Sequence, residues 1–330
     1  MPLQEGSWTF GLEALYLKRA DDDFHYASTT TQAGTPIEVT DSTRHVIGPD
    51  FEWGGKLDVT YNFIGNGRFM HFGWERVNGS ETGAKEGNDS IILAGPAVMD
   101  VSGSTTLPLQ FLPRVLGANV DWDRIDAKSE STYNAVDVVF GQRMYFADRV
   151  EMAAFAGVRY ASIDSDNRFT ANVTIPVAAT PNGAAGFVKM QSDFCGLGPR
   201  AGVDGRVYIG HSFSLVGSVG GALLVGNADS KMFSQIIYSQ DGATISGSTQ
   251  SSFKNKSQTK VVPEIDMRIG LAYNHTFTKG DTGYGFELGF KGENYFGAED
   301  FSQYSYFDTS RHETDFSQFG PYFRVEFTVT

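Results

Sequence analysis

The sequence predicts an all-β chain whose strands close into a transmembrane, up-and-down antiparallel barrel. Three observations predict it. Apolar and polar residues alternate with period two along segment after segment, short turns alternate with long polar connections, and the apolar faces end in aromatic residues. In FEWGGKLDVTYNF (51–63) the apolar residues sit on odd positions, with Glu52, Lys56, Asp58, Thr60 and Asn62 on even ones. Successive side chains of a strand point to opposite faces, so this segment is apolar on one side and charged on the other. A soluble sandwich or lipocalin-like barrel shows the same alternation with its apolar side inward. Three features favour the inverted sense, apolar side to lipid and polar side to lumen. The faces end in aromatics, the strands exceed the usual five or six residues of soluble sheets, and turns and loops segregate to opposite ends.

Composition agrees. A chain of 330 residues with 41% hydrophobic residues is not disordered, and its 38 Gly and 26 Phe suit strands and turns. A formal charge of −13 argues against nucleic acid, whose phosphates need clustered Lys and Arg. One cysteine, Cys195, excludes an internal disulfide and a cysteine-based zinc site. No run of about 18 apolar residues supplies a membrane-spanning helix. The start, MPLQEGSWTF, lacks a basic region followed by an apolar core and reads as a mature amino terminus carrying an initiator Met. Export to a bacterial outer membrane is the localisation expected.

The strands follow in order. Over roughly 7–19, Trp8, Phe10, Leu12, Ala14 and Tyr16 oppose Thr9, Gly11 and Glu13; 49–63 is the segment above, and 68–77 (RFMHFGWE within it) is a weaker match. Over 132–146, Val136, Val138, Phe140, Met144 and Phe146 oppose Asp137, Gly141 and Arg143, and over 151–163 Met152 to Tyr160 oppose Arg159. Over 188–208, Leu197, Ala201, Val203 and Val207 oppose Arg200, Asp204 and Arg206, and 213–225 again alternates weakly. The clearest case, within 259–277, sets Val261, Ile265, Met267, Ile269, Leu271 and Tyr273 against Glu264, Asp266 and Arg268. The last two, 284–297 and 316–329, carry Glu287 and Lys291, then Arg324 and Glu326, on their polar sides. Short turns fall at 64–67, 147–150, 209–212 and 278–283, and long polar segments at 20–48, 78–131, 164–187, 226–258 and 298–315. The count is about ten strands near the roughly 9–11 residues a tilted crossing needs, or about twelve if 84–100 adds a hairpin. No linker divides 1–330, so a single barrel domain is expected, with its short turns periplasmic and its long loops extracellular.

Several blocks resemble the Legionella-type major outer membrane protein family: FEWGGKLDVTYNF, NAVDVVFGQRMYF, FCGLGPRAGVD at 194–204, GGALLVGNADS at 220–230, VVPEIDMRIGLAY at 261–273, NYF at 294–296 and ETDFSQFGPYF at 313–323. The most specific pieces are Gly198-Pro199-Arg200, Val262-Pro263-Glu264 and the Thr-Asp-Phe and Gly-Pro-Tyr near the end. The resemblance covers most strands and fails in the loops. It implies an outer-membrane barrel with channel activity in a Gram-negative envelope. Members of the family can be cross-linked by amino-terminal cysteines, and this chain has none there, so any homo-oligomer is expected without them. Outer-membrane barrels usually finish on an aromatic residue; this chain ends FTVT, so the expectation is either that Phe327 stands in or that the terminus is atypical.

The charged residues expected to line the lumen are Glu13, Lys56, Asp58, Asp137, Arg143, Arg159, Arg200, Asp204, Arg206, Glu264, Asp266, Arg268, Glu287, Lys291, Arg324 and Glu326. The aromatics expected at the membrane interfaces are Trp8, Tyr16, Trp53, Phe63, Tyr273, Tyr284 and Phe327. With about ten strands, many lumenal charges should pair and leave at most a thin water path. A small or gated pore for small hydrophilic solutes and ions, by passive diffusion, is one expectation. A closed barrel acting as a surface structural protein or adhesin through its long loops is the other. Outer-membrane lipid and lipopolysaccharide are the expected surroundings.

No catalytic residue, cofactor or metal is expected. The acidic groups Asp21–Asp23, Asp121 with Asp123, and Asp164 with Asp166 miss the calcium-loop spacing and read as solvated loop charge. His312 has Glu313 and Asp315 nearby but no designated nucleophile, so a rim enzyme is remote. Apolar pieces at 91–98 and 107–116 are expected to pack on the rim. Cys195 shares parity with Leu197 and reads as inert. The Asn-x-Ser/Thr tripeptides are chance matches.

Overall fold

A computed structural model describes residues 6–20, 25–33, 38–47, 50–65, 67–86, 91–94, 123–146, 149–177, 180–210, 212–240, 243–244, 249–254, 257–277, 282–305 and 308–329. All of its regular elements are strands: β1 (Ser7–Arg19), β2 (His25–Ala33), β3 (Glu38–Val46), β4 (Phe51–Asn62), β5 (Arg68–Glu86), β6 (Ile91–Ala94), β7 (Arg124–Phe146), β8 (Val150–Val177), β9 (Thr180–Tyr208), β10 (Phe213–Gln240), β11 (Ala243–Thr244), β12 (Thr249–Lys254), β13 (Gln258–Thr276), β14 (Gly283–Ser305) and β15 (Asp308–Val329).

Ten of them form a closed antiparallel ring in the order β1-β4-β5-β7-β8-β9-β10-β13-β14-β15, sealed where β1 pairs with β15. β2, β3 and β6 make a separate small sheet, and β11 and β12 pair with the far end of β10. The twelve-strand alternative is therefore set aside: residues 91–94 pair with β2 and do not enter the ring.

Register sets the girth. Cross-strand partners run from Ser214 through Ala272, Glu287, Arg324, Glu13, Lys56, Glu75, Ala135, Ala161 and Gly196 to Gly226, re-entering β10 twelve residues further along. With a rise of about 3.3 Å per residue and strands about 4.8 Å apart, that stagger gives a tilt of about 40° and a backbone radius of about 10 Å.

The sense of the alternation is the inverted one. Trp53 is 69% exposed on the outer wall and Ile269 58%, while Glu13 and Asp58 are each 2% exposed inside. Tyr16 stacks with Phe51 (5.0 Å) and packs tilted against Trp53 (4.7 Å) at the loop end of the wall, and Trp8, Tyr61 and Phe63 cluster at the turn end (4.8 and 5.0 Å). From Trp53 to Phe63 is ten residues of tilted strand, about 25 Å along the normal, which is the height of a barrel's apolar band. Gly65 and Gly67 hold positive φ in the β4–β5 turn, a conformation that glycine takes without a side-chain clash.

The segments read as long loops are in large part strand. β8 and β9 run to Val177 and from Thr180, β10 to Gln240, and β14 and β15 to Ser305 and from Asp308. Beyond the membrane the inner face stays buried, but Ser165, Asn167 and Ser230 stand on it beside Phe169 and Met232, so the apolar alternation fades while the backbone pairing continues.

A positive charge at mid-wall tests the orientation. Ile269→Arg should cost about 2–4 kcal/mol in denaturant unfolding from lipid vesicles, the range for a cation at the bilayer midplane. An unchanged midpoint would mean that this face is not lipid-exposed.

Candidate functional site: the barrel interior

The structure places every charged residue expected in the lumen on the inner face. Glu13, Asp58, Asp137, Arg159, Arg200, Glu264, Glu287, Lys291 and Arg324 are buried; Lys56, Arg143, Asp204, Arg206, Asp266, Arg268 and Glu326 are half-buried. Strand parity puts them there, and the narrow radius brings them together across the ring.

At mid-height they form a charged girdle. The Arg159 guanidinium donates to both oxygens of Asp137 at 2.7 Å and to Glu264 at 2.7 Å. Arg200 lies 3.3 Å from Glu264 and 2.8 Å from Asp266. Lys291 on β14 donates to Glu75 on β5, and Lys56 stands 3.7 Å from the same carboxylate. Arg324 donates to Asp58 at 2.7 Å and lies 3.9 Å from Glu13. The contacts Arg159–Glu264 and Lys291–Glu75 join strands that are not neighbours in the ring, so they span the lumen.

Several girdle residues lie outside the expected set. Glu75 and His71 come from the weakly alternating 68–77 segment, and the His71 Nδ1 shares a 2.9 Å hydrogen bond with the Thr60 hydroxyl. Tyr133 donates to Glu293 at 3.1 Å and shares a 2.7 Å bond with Tyr295, while Gln318 also donates to Glu293. Tyr322 donates to Glu287 at 2.5 Å. Parity alone could have found all of these. Tyr133, Tyr295, Gln318 and Tyr322 carry no charge, and Glu75 and His71 lie where the alternation is weak, so none of them stands out as a lumenal charge.

Inward glycines make the room. The Asp58 carboxylate lies over Gly11, the Phe155 ring over Gly202 and the Tyr322 ring over Gly289, each where a Cβ would collide. A narrow barrel alternates large and small inward residues for this reason.

Toward the turn end the girdle opens into a chamber of about 370 Å³. Its wall includes Arg143, Glu151, Asp204, Arg206, Arg268 and Glu326. There Tyr208 donates to Glu151 at 2.8 Å, and Arg143 stands 3.4 Å from Glu151. Toward the loop end an apolar layer crosses the lumen, built from Leu15, Leu17, Val77, Ile163, Leu224 and Phe316 with Tyr133 and Tyr295 beneath. Above it comes a second polar layer, in which Arg19 donates to Glu299 at 2.5 Å and Lys260 lies 3.2 Å from Asp300. The apolar layer was not among the sequence expectations, although Leu15 and Leu17 share the parity of Glu13.

The interface aromatics stand on the outer wall. Trp8, Tyr16, Trp53, Phe63 and Phe327 are exposed, while Tyr273 and Tyr284 are half-buried among Phe213, His275, Phe277 and Phe286. Cys195 is exposed and donates to the Tyr160 hydroxyl at 3.2 Å. Beyond the membrane band, Asp164 faces Asp193 across the β8–β9 ladder; burial and that like charge push its carboxyl above the ordinary range. Asp166 there is held by Lys189 at 2.8 Å and Arg168 at 3.1 Å. Among the described residues no three of His, Cys, Asp and Glu converge as metal ligands. Asp21–Asp23, Asp121, the apolar pieces at 95–98 and 107–116, and the side chain of His312 lie outside the described residues.

Three comparisons bear on identity. The family model described as Legionella pneumophila major outer membrane protein precursor matches residues 1–329. No curated protein matches. Among solved structures, the chain is similar to the outer membrane protease OmpT from Escherichia coli, at 9% identity over 98% of this chain and 95% of that one, TM-score 0.43. It is also similar to the P. putida toluene transporter TodX, at 8% over 99% and 90%, TM-score 0.24. A Pseudomonas aeruginosa FadL homologue matches at 7% over 98% and 89%, TM-score 0.24.

Two carboxylates of unlike setting test the girdle. Glu264→Ala leaves Arg159 and Arg200 short of a buried partner and should cost about 3–5 kcal/mol in denaturant unfolding. Glu130→Ala removes an exposed partner of Lys128 outside the membrane and should cost no more than about 1 kcal/mol. Equal effects would mean that the girdle is not a buried network.

Proposed function

We infer that this chain, which belongs to the Legionella major outer membrane protein family, works as a narrow gated channel in the bacterial outer membrane. It passes ions and small hydrophilic solutes by diffusion and carries out no catalytic step. The observation that carries this reading is the charged chamber that leads from the turn end to a girdle of shared ion pairs. Arg200 lies within 4 Å of Asp137, Glu264 and Asp266, and Lys291 of Glu75 and Glu293. A cation with several acidic neighbours can change partner without ever standing alone, so the girdle can rearrange at far less cost than isolated buried pairs would incur. Mixed signs leave no ring of one charge, so ion preference is weak, with the −13 net charge tilting it toward cations.

A second reading has its own support. The apolar layer of Leu15, Leu17, Val77 and Phe316 suits a permanently closed barrel that serves as a surface structural protein or adhesin through its long hairpins.

Conductance in planar bilayers separates the two. The channel should give small discrete steps that grow severalfold in a variant combining Arg159→Ala with Phe316→Ala, which opens both closures. Silence from both proteins, each showing the heated-against-unheated gel shift of a folded barrel, would overturn the channel and leave the closed barrel.

A further inference from the structure

Much of the lipid-facing wall carries bulky side chains, and a sector near the turn end is low. On β8, Ala154 and Ala156 face outward beside Gln142 and Phe140 of β7. A depression of about 620 Å³ lies over them, with Gly141 in its floor and Phe63 and Phe140 as its sides. Phe140 is 57% exposed and Phe63 39%, so both stand proud of the alanines. The polar residues of the depression are Arg68 and Gln142, adjacent across the β5–β7 ladder. Arg68 opens β5 directly after the short turn, its carbonyl accepting from the Phe63 amide at 2.9 Å. It therefore sits level with the aromatic belt of the turn side.

We propose that this depression holds one anionic phospholipid of the turn-side leaflet, an acyl chain lying along Ala154 and Ala156 and the phosphate against Arg68 and Gln142. Lipid tails are already apolar, so a chain gains little by leaving its neighbours; what it gains is close packing, which small residues permit. The guanidinium adds several N–H donors for phosphate oxygens at the depth where the headgroup sits. Charge complementarity at one end and an apolar trough at the other match one lipid molecule. The flanking phenylalanines keep out the broad convex wall of a second barrel. Lipopolysaccharide is expected in the opposite leaflet, beyond reach of Arg68.

The test uses the full chain folded into phosphatidylcholine vesicles doped with spin-labelled phosphatidylglycerol or spin-labelled phosphatidylcholine. The wild-type protein should show a motionally restricted component that favours phosphatidylglycerol and is unchanged by added inorganic phosphate. Arg68→Ala should lower that preference about fivefold, the effect of one basic residue near a lipid surface. Ala154→Phe fills the trough and should abolish the preference for phosphatidylglycerol, leaving only the unselective restriction by the rest of the wall, while the gel-mobility shift of the folded barrel persists. The proposal is overturned by variants that match the wild type, by equal affinity for the two lipids, or by displacement with inorganic phosphate. It is equally overturned if lipopolysaccharide or a second copy of the chain is found at Ala154 by cross-linking.

Discussion

The closed ring is the constraint from which the rest follows. Ten strands staggered by twelve residues leave a backbone radius of about 10 Å, and side chains consume most of that. An inward charge therefore has nowhere to go. It must find its partner within the ring, and the partner is often on a strand several places away, as Glu264 is for Arg159 and Glu75 for Lys291. The wall meanwhile draws its polar partners from within itself, because each strand of the ring pairs with a neighbour on both sides.

Filling a cylinder of fixed bore imposes an order on what fills it. Large inward side chains lie across inward glycines, as Asp58 does across Gly11 and Tyr322 across Gly289. Polar and apolar strata alternate along the axis: chamber, charged girdle, apolar layer and upper polar layer. The apolar layer limits how far water can approach the girdle from the loop side, and a less hydrated ion pair is a stronger one.

Much of this was legible from period two alone. The segment 51–63 set Trp53 and Leu57 against Lys56 and Asp58, and the structure puts them on opposite sides of the wall. Glu13 and Arg324 are buried where Leu12 and Phe323 beside them are exposed. What escaped notice had two physical causes. Leu15 and Leu17 share the inner face with Glu13, but an apolar residue facing a lumen looks like any other apolar residue in a one-dimensional pattern. Glu75, Glu293 and Tyr295 sit inward in segments where alternation is less regular, and their importance comes from partners on remote strands that no local pattern encodes. The extramembrane hairpins hide differently: their buried face mixes Ser165, Asn167 and Ser230 with Phe169 and Met232, so no apolar alternation marks these stretches of β8 and β10 as strand.

The seam between β1 and β15 joins Thr9 to Thr328 by a 3.1 Å hydrogen bond, and Glu13 lies opposite Arg324 in the same ladder. Every other junction of the ring links strands much nearer in sequence, so this one alone must wait for the whole barrel to be made. Until the last strand arrives, β1 and β15 are bare edges, and Arg324 has neither Asp58 nor Glu13 to neutralise it. Assembly is thus a latch: a half-built sheet is open to water and to stray strands, and its final zipper secures the edge and the charge in one act.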